Sequence, residues 1–95
     1  MRRAAKVDAN QSEIVAAFRE AGASVQPLHQ VGAGCPDLLV GFMGYNLLVE
    51  VKDGSKPPSK RCLTQDQIKW HGGWAGQACI VENVEQALTL IERLR

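Results

Sequence analysis

The stretch DLLVGFMGYNLLVEVK, residues 37–52, decides the fold of this chain. Two apolar runs, 37–42 and 46–52, flank a short connection that contains Gly44, and this pattern predicts a β-hairpin. Side chains alternate across a strand, so Glu50 and Lys52 lie on one face of the second strand. The valines between and beside them point to the other face, which is predicted to be the core.

The register of this hairpin decides whether two acids meet. A two-residue loop at Met43 and Gly44 would place Asp37 directly opposite Glu50 on the same face. A slip of one residue would pair Asp37 with Val51 instead and separate the carboxylates. Opposed carboxylates repel each other unless a cation lies between them, and a hard divalent cation bound through oxygen is the simplest solution.

A divalent cation beside Lys52 suits phosphodiester hydrolysis. The metal would polarise a phosphoryl oxygen and generate hydroxide from water, while the ammonium group stabilises developing charge or orients the nucleophile. The alternative is an ordinary ion pair on a solvated hairpin face. The abrupt end of an apolar strand in this polar cluster favours the hydrolytic site.

Upstream of the hairpin, residues 10–20 are predicted to form a helix. Asn10 can cap it, Glu13 lies three residues later as in a capping box, and Gly22 is a natural stop. Residues 24–28 are predicted to form an edge strand, limited by Pro27. Residues 29–36 form a glycine-containing loop.

Downstream, residues 53–63 form a polar loop interrupted by two prolines. Thr64 is predicted to cap a helix that ends near residues 72–73, with Gln67 completing a second capping box. Residues 77–81 form a short strand, and Asn83 caps a last helix that ends near residue 94. The predicted fold class is α/β, with the order α-β-β-β-α-β-α, in one domain over residues 1–95 whose residues 1–7 are a flexible basic segment.

Composition excludes several classes of protein. No run approaches the roughly 20 apolar residues of a membrane span, and no apolar segment follows the basic N-terminus as in a signal peptide. The three cysteines are odd in number and widely spaced, so we expect reduced thiols in a cytoplasmic protein rather than a zinc site. The net charge is only +1, but metal binding by three of the ten acids would leave seven against eleven bases.

Pro36-Asp37 followed by Glu50-Val51-Lys52 resembles the motif of PD-(D/E)xK nucleases, and the order of elements resembles their restriction-endonuclease-like core, a central mixed sheet flanked by helices. Over residues 8–94 the chain is most similar to the VRR-NUC (virus-type replication-repair nuclease) family, which is related to archaeal-type Holliday junction resolvases. The glycine-rich segment 32–37 (GAGCPD) and the segment 63–67 (LTQDQ) carry this closer resemblance.

The resemblance implies roles for individual residues. Asp37 and Glu50 would bind Mg²⁺, for which Mn²⁺ could substitute, and Glu13 would help directly or through water. The Val51 carbonyl would be a further ligand, Lys52 would position the attacking water, and Gln67 would orient Lys52 or a phosphate. Glu13 and Gln67 could instead serve only their capping boxes, because the two jobs are expected to be incompatible in one side-chain geometry.

Contacts to the DNA backbone are expected from two loops. The candidates are Lys56, Lys60 and Arg61 in the polar loop, which could also be merely solvated, and Gly32 and Gly34 in the glycine loop. Trp70 and Trp74 are one helical turn apart and are expected in the core or in a dimer interface. His29 and His71 are not expected to be metal ligands, although His29 could approach DNA.

Three functions remain open from the sequence. The first is a structure-selective endonuclease that cuts branched DNA such as Holliday junctions and acts as a homodimer, encoded by a prokaryote or a phage. The second is a flap or nicking endonuclease. The third is an inert nucleic-acid-binding module on the same fold, against which the intact Asp37, Glu50 and Lys52 argue.

Overall fold

The computed structural model describes residues 7–95. Its helices and strands follow the predicted order α-β-β-β-α-β-α and its boundaries lie within a residue or two of those predicted. The elements are α1 (Gln11–Glu20), β1 (Ser24–Pro27), β2 (Leu38–Phe42), β3 (Tyr45–Val51), α2 (Gln65–Gly73), β4 (Ala78–Val81) and α3 (Val84–Leu94), with a short 3-10 turn at Pro58–Lys60 that was not predicted. Except for Val7, the predicted flexible segment lies outside the described residues.

The four strands form one mixed sheet in the order β1-β2-β3-β4. The first three strands are antiparallel, and β4 is parallel to β3. The pairs run from Phe42 opposite Tyr45 to Leu38 opposite Val49, so the predicted register is confirmed and its next step sets Asp37 against Glu50. Met43 (φ 50°) and Gly44 (φ 84°) both have the left-handed backbone of a type I′ turn, whose twist matches that of the strands.

One face of the sheet carries the hydrophobic core. Helices α1 and α3 pack against each other and on this face, where Val49 and Val51 of β3 are fully buried, as the alternation predicted. The hydrophobic cluster is completed from both helices and from strands β2 and β4 by Ile14, Phe18, Leu38, Val40, Val81, Ala87 and Ile91.

The opposite face of the sheet is covered only in part. Helix α2 lies on this face, as its Gln67 contacts Glu50 and Lys52, whose side chains point away from the core. The helix has no buried residue, and Ile68 and Trp74 are 58% and 46% exposed. No helix within residues 7–95 has the length and apolarity that a membrane span requires.

Asn10 does not cap α1 as predicted. It precedes the helix, but its side chain accepts no capping hydrogen bond, and no capping box with Glu13 forms. Its Nδ2 instead donates to the carbonyl oxygens of Lys52 (3.2 Å) and Glu82 (3.0 Å), just beyond the ends of β3 and β4. Asn83, by contrast, caps α3 through its Oδ1, which accepts from the Gln86 amide at 2.8 Å.

The same substitution should therefore have different effects at the two asparagines. Asn10→Asp removes a donor and sets a carboxylate against two carbonyl oxygens, so the free energy of unfolding should fall by about 2 kcal/mol. Asn83→Asp keeps the accepting oxygen and should change the free energy of unfolding by less than about 0.5 kcal/mol, since Asp and Asn cap equally well. Urea denaturation of both variants measures the difference. If Asn10→Asp left the free energy of unfolding unchanged or raised it, the result would support the predicted capping role of Asn10.

Candidate active site

A cavity of about 380 Å³ opens on the partly covered face of the sheet. It brings together six of the predicted site residues, which come from the hairpin, the glycine loop and α2. Its lining consists of Asp8, Gly32, Ala33, Gly34, Cys35, Asp37, Glu50, Lys52, Thr64, Asp66 and Gln67.

Two buried carboxylates form the floor of this cavity. Asp37 and Glu50 are 7% and 1% exposed. The Asp37 Oδ2 accepts a hydrogen bond from the Val51 amide at 2.7 Å, which fixes this carboxylate beside β3. Glu50 Oε2 accepts from Gln67 Nε2 at 3.2 Å, whereas the buried Oε1 has no hydrogen-bond partner.

The surroundings of Glu50 disfavour its negative charge. Burial raises the pKa of Glu50 to about 9, and the neighbouring carboxylate of Asp37 acts in the same direction. The charge of Lys52 lowers the pKa of Glu50, and the carboxylate of Asp8 raises it further. A buried acid pair that is charged only at a cost, with an oxygen that has no hydrogen-bond partner, fits a divalent cation held through oxygen ligands.

Two further acids line the cavity, Asp8 and Asp66, and the sequence analysis assigned neither of them to the site. Glu13 is exposed and lines a different depression, together with Ala9, Asn10, Asp53, Ser55, Glu82 and Asn83. Asp8 lies just before α1, where no periodic pattern marks it, and only the packing of the helix start against β3 and β4 reveals its position. Within residues 7–95, no three His, Cys, Asp or Glu side chains form a ready-made metal cluster.

Gln67 makes both sets of contacts that were expected to exclude each other. It completes the capping box, because its Oε1 accepts from the Thr64 amide at 2.9 Å and its own amide donates to Thr64 Oγ1 at 3.2 Å. The same Oε1 accepts from Lys52 Nζ at 2.7 Å, while Nε2 reaches Glu50. The expectation that the two sets of contacts exclude each other was wrong, because an amide oxygen accepts two hydrogen bonds while the NH₂ group donates to a third partner.

Gly34 joins the glycine loop to α2. Its backbone has φ 81°, and a Cβ at this position would overlap the Asp66 carbonyl oxygen. The loop can therefore lie directly on the first turn of α2, next to Gln67, only with glycine here. Gly32 also has a positive φ, of 76°, and lines the same cavity.

The three basic residues of the polar loop differ in their surroundings. Arg61 Nη1 forms an ion pair with Glu82 Oε2 at 2.9 Å, which ties the loop to the end of β4. Lys56 and Lys60 are exposed. The structure therefore leaves the two lysines, rather than Arg61, available to a ligand.

His71 lies beside the acid pair, although the sequence analysis expected only that it would not be a metal ligand. Its Nε2 is 3.5 Å from Glu50 Oε1. Burial lowers the pKa of His71, and the charge of Lys52 lowers it further, so the ring is neutral near pH 7. The spacing of His71 four residues after Gln67 could have indicated that both face the same strand.

Comparison with known proteins gives one structural likeness. A solved structure described as a "VRR_NUC domain" superposes with a TM-score of 0.66 and 27% sequence identity, over 90% of this chain and 92% of that one. No protein-family model matches the sequence, and no curated protein matches it.

The raised pKa of Glu50 predicts a pH dependence of stability in metal-free protein. The folded state holds a proton that the unfolded state releases above its ordinary pKa of 4.5, so the stabilising effect is complete below pH 4.5 and is lost as the pH rises to about 9. Glu50→Gln is permanently neutral and should lack this decline.

Urea denaturation in EDTA across this pH range tests the prediction. The exposed Glu85 provides the control, because Glu85→Gln should keep the wild-type decline. Equal pH profiles for wild type and Glu50→Gln would contradict the proposed cost of charging Glu50.

Proposed function

This chain has the fold of a VRR-NUC domain, as its sequence predicted, and on that premise we propose that it is a Mg²⁺-dependent endonuclease that hydrolyses phosphodiester bonds in DNA. One observation carries the proposal: the buried pair Asp37 and Glu50 shares a cavity with Lys52. This combination supplies oxygen ligands for a hard cation and a positive group for a phosphate in one place.

Asp37 and Glu50 are the residues that would hold the metal. Mg²⁺ is the expected ion and Mn²⁺ a substitute, because both accept carboxylate and water oxygens. When bound, the cation would polarise a phosphoryl oxygen and lower the pKa of a coordinated water. Asp8 and Asp66 are the further acids that line the cavity, whereas the predicted Glu13 does not, and the Val51 carbonyl remains a predicted ligand.

Lys52 is the proposed positioning and charge-stabilising group. Its ammonium is held by Gln67 Oε1 at 2.7 Å, and Gln67 is held in turn by Glu50 and by the capping box of α2. The ammonium is therefore fixed relative to the carboxylates before substrate arrives. A preorganised charge stabilises a developing phosphorane charge without the cost of reorienting solvent.

The DNA backbone would approach over the glycine loop and the polar loop. Gly32 and Gly34 form one wall of the cavity without side chains that would obstruct a phosphate. Lys56 and Lys60 follow β3 and are exposed, so they are the proposed phosphate contacts. Arg61 is assigned to the ion pair with Glu82 instead.

Branched DNA is the proposed substrate and a homodimer the proposed assembly. The exposed apolar residues Ile68, Trp74 and Ile80 on the side of α2 favour burial against a second copy, and a twofold axis would present two sites to two strands of a junction. A flap or nicking endonuclease is the second candidate and would act as a monomer. Two measurements separate these candidates: cleavage of four-way, flap and linear DNA, and the mass by light scattering. A mass of about twice 10.3 kDa supports the homodimer, and a mass of 10.3 kDa supports the monomer.

Loss of the metal or of Lys52 should abolish cleavage by different routes. EDTA should stop cleavage and added Mg²⁺ should restore it. Lys52→Ala should lower the cleavage rate by at least about 100-fold, in the range of a lost electrostatic catalytic group, while the protein still folds and binds metal, because Lys52 lies outside the core. Single-turnover cleavage of labelled DNA measures both effects.

Lys69→Ala is the matched control, since Lys69 is an exposed lysine of α2 that does not line the cavity. It should cleave at the wild-type rate. Full activity in excess EDTA, or a Lys52→Ala variant as fast as the control, would refute the hydrolytic mechanism.

A further inference from the structure

We propose that His71 is a positioning residue that holds Glu50 in the orientation needed for metal binding, by donating its Nε2 proton to Glu50 Oε1. The inference rests on the proposed metal-dependent function and adds to it a residue that does not line the cavity. It follows from how α2 faces the buried carboxylate.

The two oxygens of Glu50 face two residues of α2. Oε2 accepts from Gln67 Nε2 at 3.2 Å, and Oε1 lies 3.5 Å from His71 Nε2. Both Oε1 and this Nε2 are buried and have no hydrogen-bond partner. Residues four apart lie on the same side of a helix, so Gln67 and His71 hold the carboxylate as a pair.

A metal-bound Glu50 must be a carboxylate, and its buried oxygens then need donors or the cation itself. Gln67 satisfies one oxygen, and His71 Nε2 lies 3.5 Å from the other. The 3.5 Å separation is longer than a strong hydrogen bond of about 2.7–3.2 Å. A small rotation of the ring closes it once Oε1 carries charge. Donors that orient a ligating carboxylate raise the metal affinity of the site.

The aromatic pair of α2 supports the ring of His71. Trp70 meets it edge-on, with ring centroids 5.3 Å apart and an interplanar angle of 76°. Trp70 in turn stacks on Trp74 at 4.7 Å and 17°. Trp70 therefore packs against the imidazole, while leaving the small rotation that brings Nε2 to Glu50.

Mn²⁺ affinity in the absence of DNA tests the proposal. Isothermal titration of the full chain should give a dissociation constant about 10-fold or more higher for His71→Phe than for wild type, the range for lost outer-sphere partners. His71→Gln, which retains an N–H donor, should recover part of the affinity. His29→Phe is the control, because His29 lies in a separate depression with Gln26, Pro27, Leu28, Gln30 and Val31, and it should bind like wild type.

The proton position in His71 gives a second readout. In Mg²⁺-loaded wild type, the imidazole ¹⁵N shifts should show the proton on Nε2. A proton on Nδ1 would overturn the proposal, since Nε2 would then be free to bind the metal directly.

The outcomes separate this inference from the proposed function. If wild type binds Mn²⁺ and His71→Phe binds equally well, His71 has no positioning role and the nuclease proposal stands. If His71→Phe does not fold, His71→Asn replaces it, because its shorter amide stays polar but cannot reach Oε1, and the same 10-fold loss is expected. Wild type that binds no Mn²⁺ overturns both proposals.

Discussion

The burial of Glu50 beside Asp37 is the constraint on which the rest of this structure depends. The hairpin register forces the two acids together, and the sheet leaves Glu50 almost no access to water. In a medium of low polarity the carboxylate is charged only at a cost, which is why its pKa is raised to about 9. Lys52 lowers that cost, whereas Asp37 and Asp8 increase it.

Helix α2 is positioned by this requirement rather than by a hydrophobic core. It has no buried residue, and its firmest contacts are the hydrogen bonds of Gln67 to Lys52 and Glu50. Stability comes mainly from the other face of the sheet, where α1 and α3 bury a hydrophobic cluster. One face of the sheet thus stabilises the fold by packing, and the other face holds the polar groups of the cavity in place. The packing on the first face compensates for the cost of burying Glu50 on the other.

The sequence by itself determined the hairpin, its register and therefore the acid pair. These follow from strand alternation and from a two-residue turn at Met43 and Gly44, which are local rules. The caps at Thr64 and Asn83 follow from equally local chemistry, because a capping side chain bonds an amide only three residues away.

Only the tertiary structure decided which distant residues complete the site. Asn10 resembles a helix cap, yet it bonds to carbonyl oxygens 42 and 72 residues away, and that packing brings Asp8 rather than Glu13 to the cavity. Arg61 likewise pairs with Glu82, 21 residues away. Local sequence patterns predict hydrogen bonds within a turn or a strand pair. The contacts of Asn10 and Arg61 depend instead on how whole helices, strands and loops pack together, and no periodicity in the sequence predicts that packing.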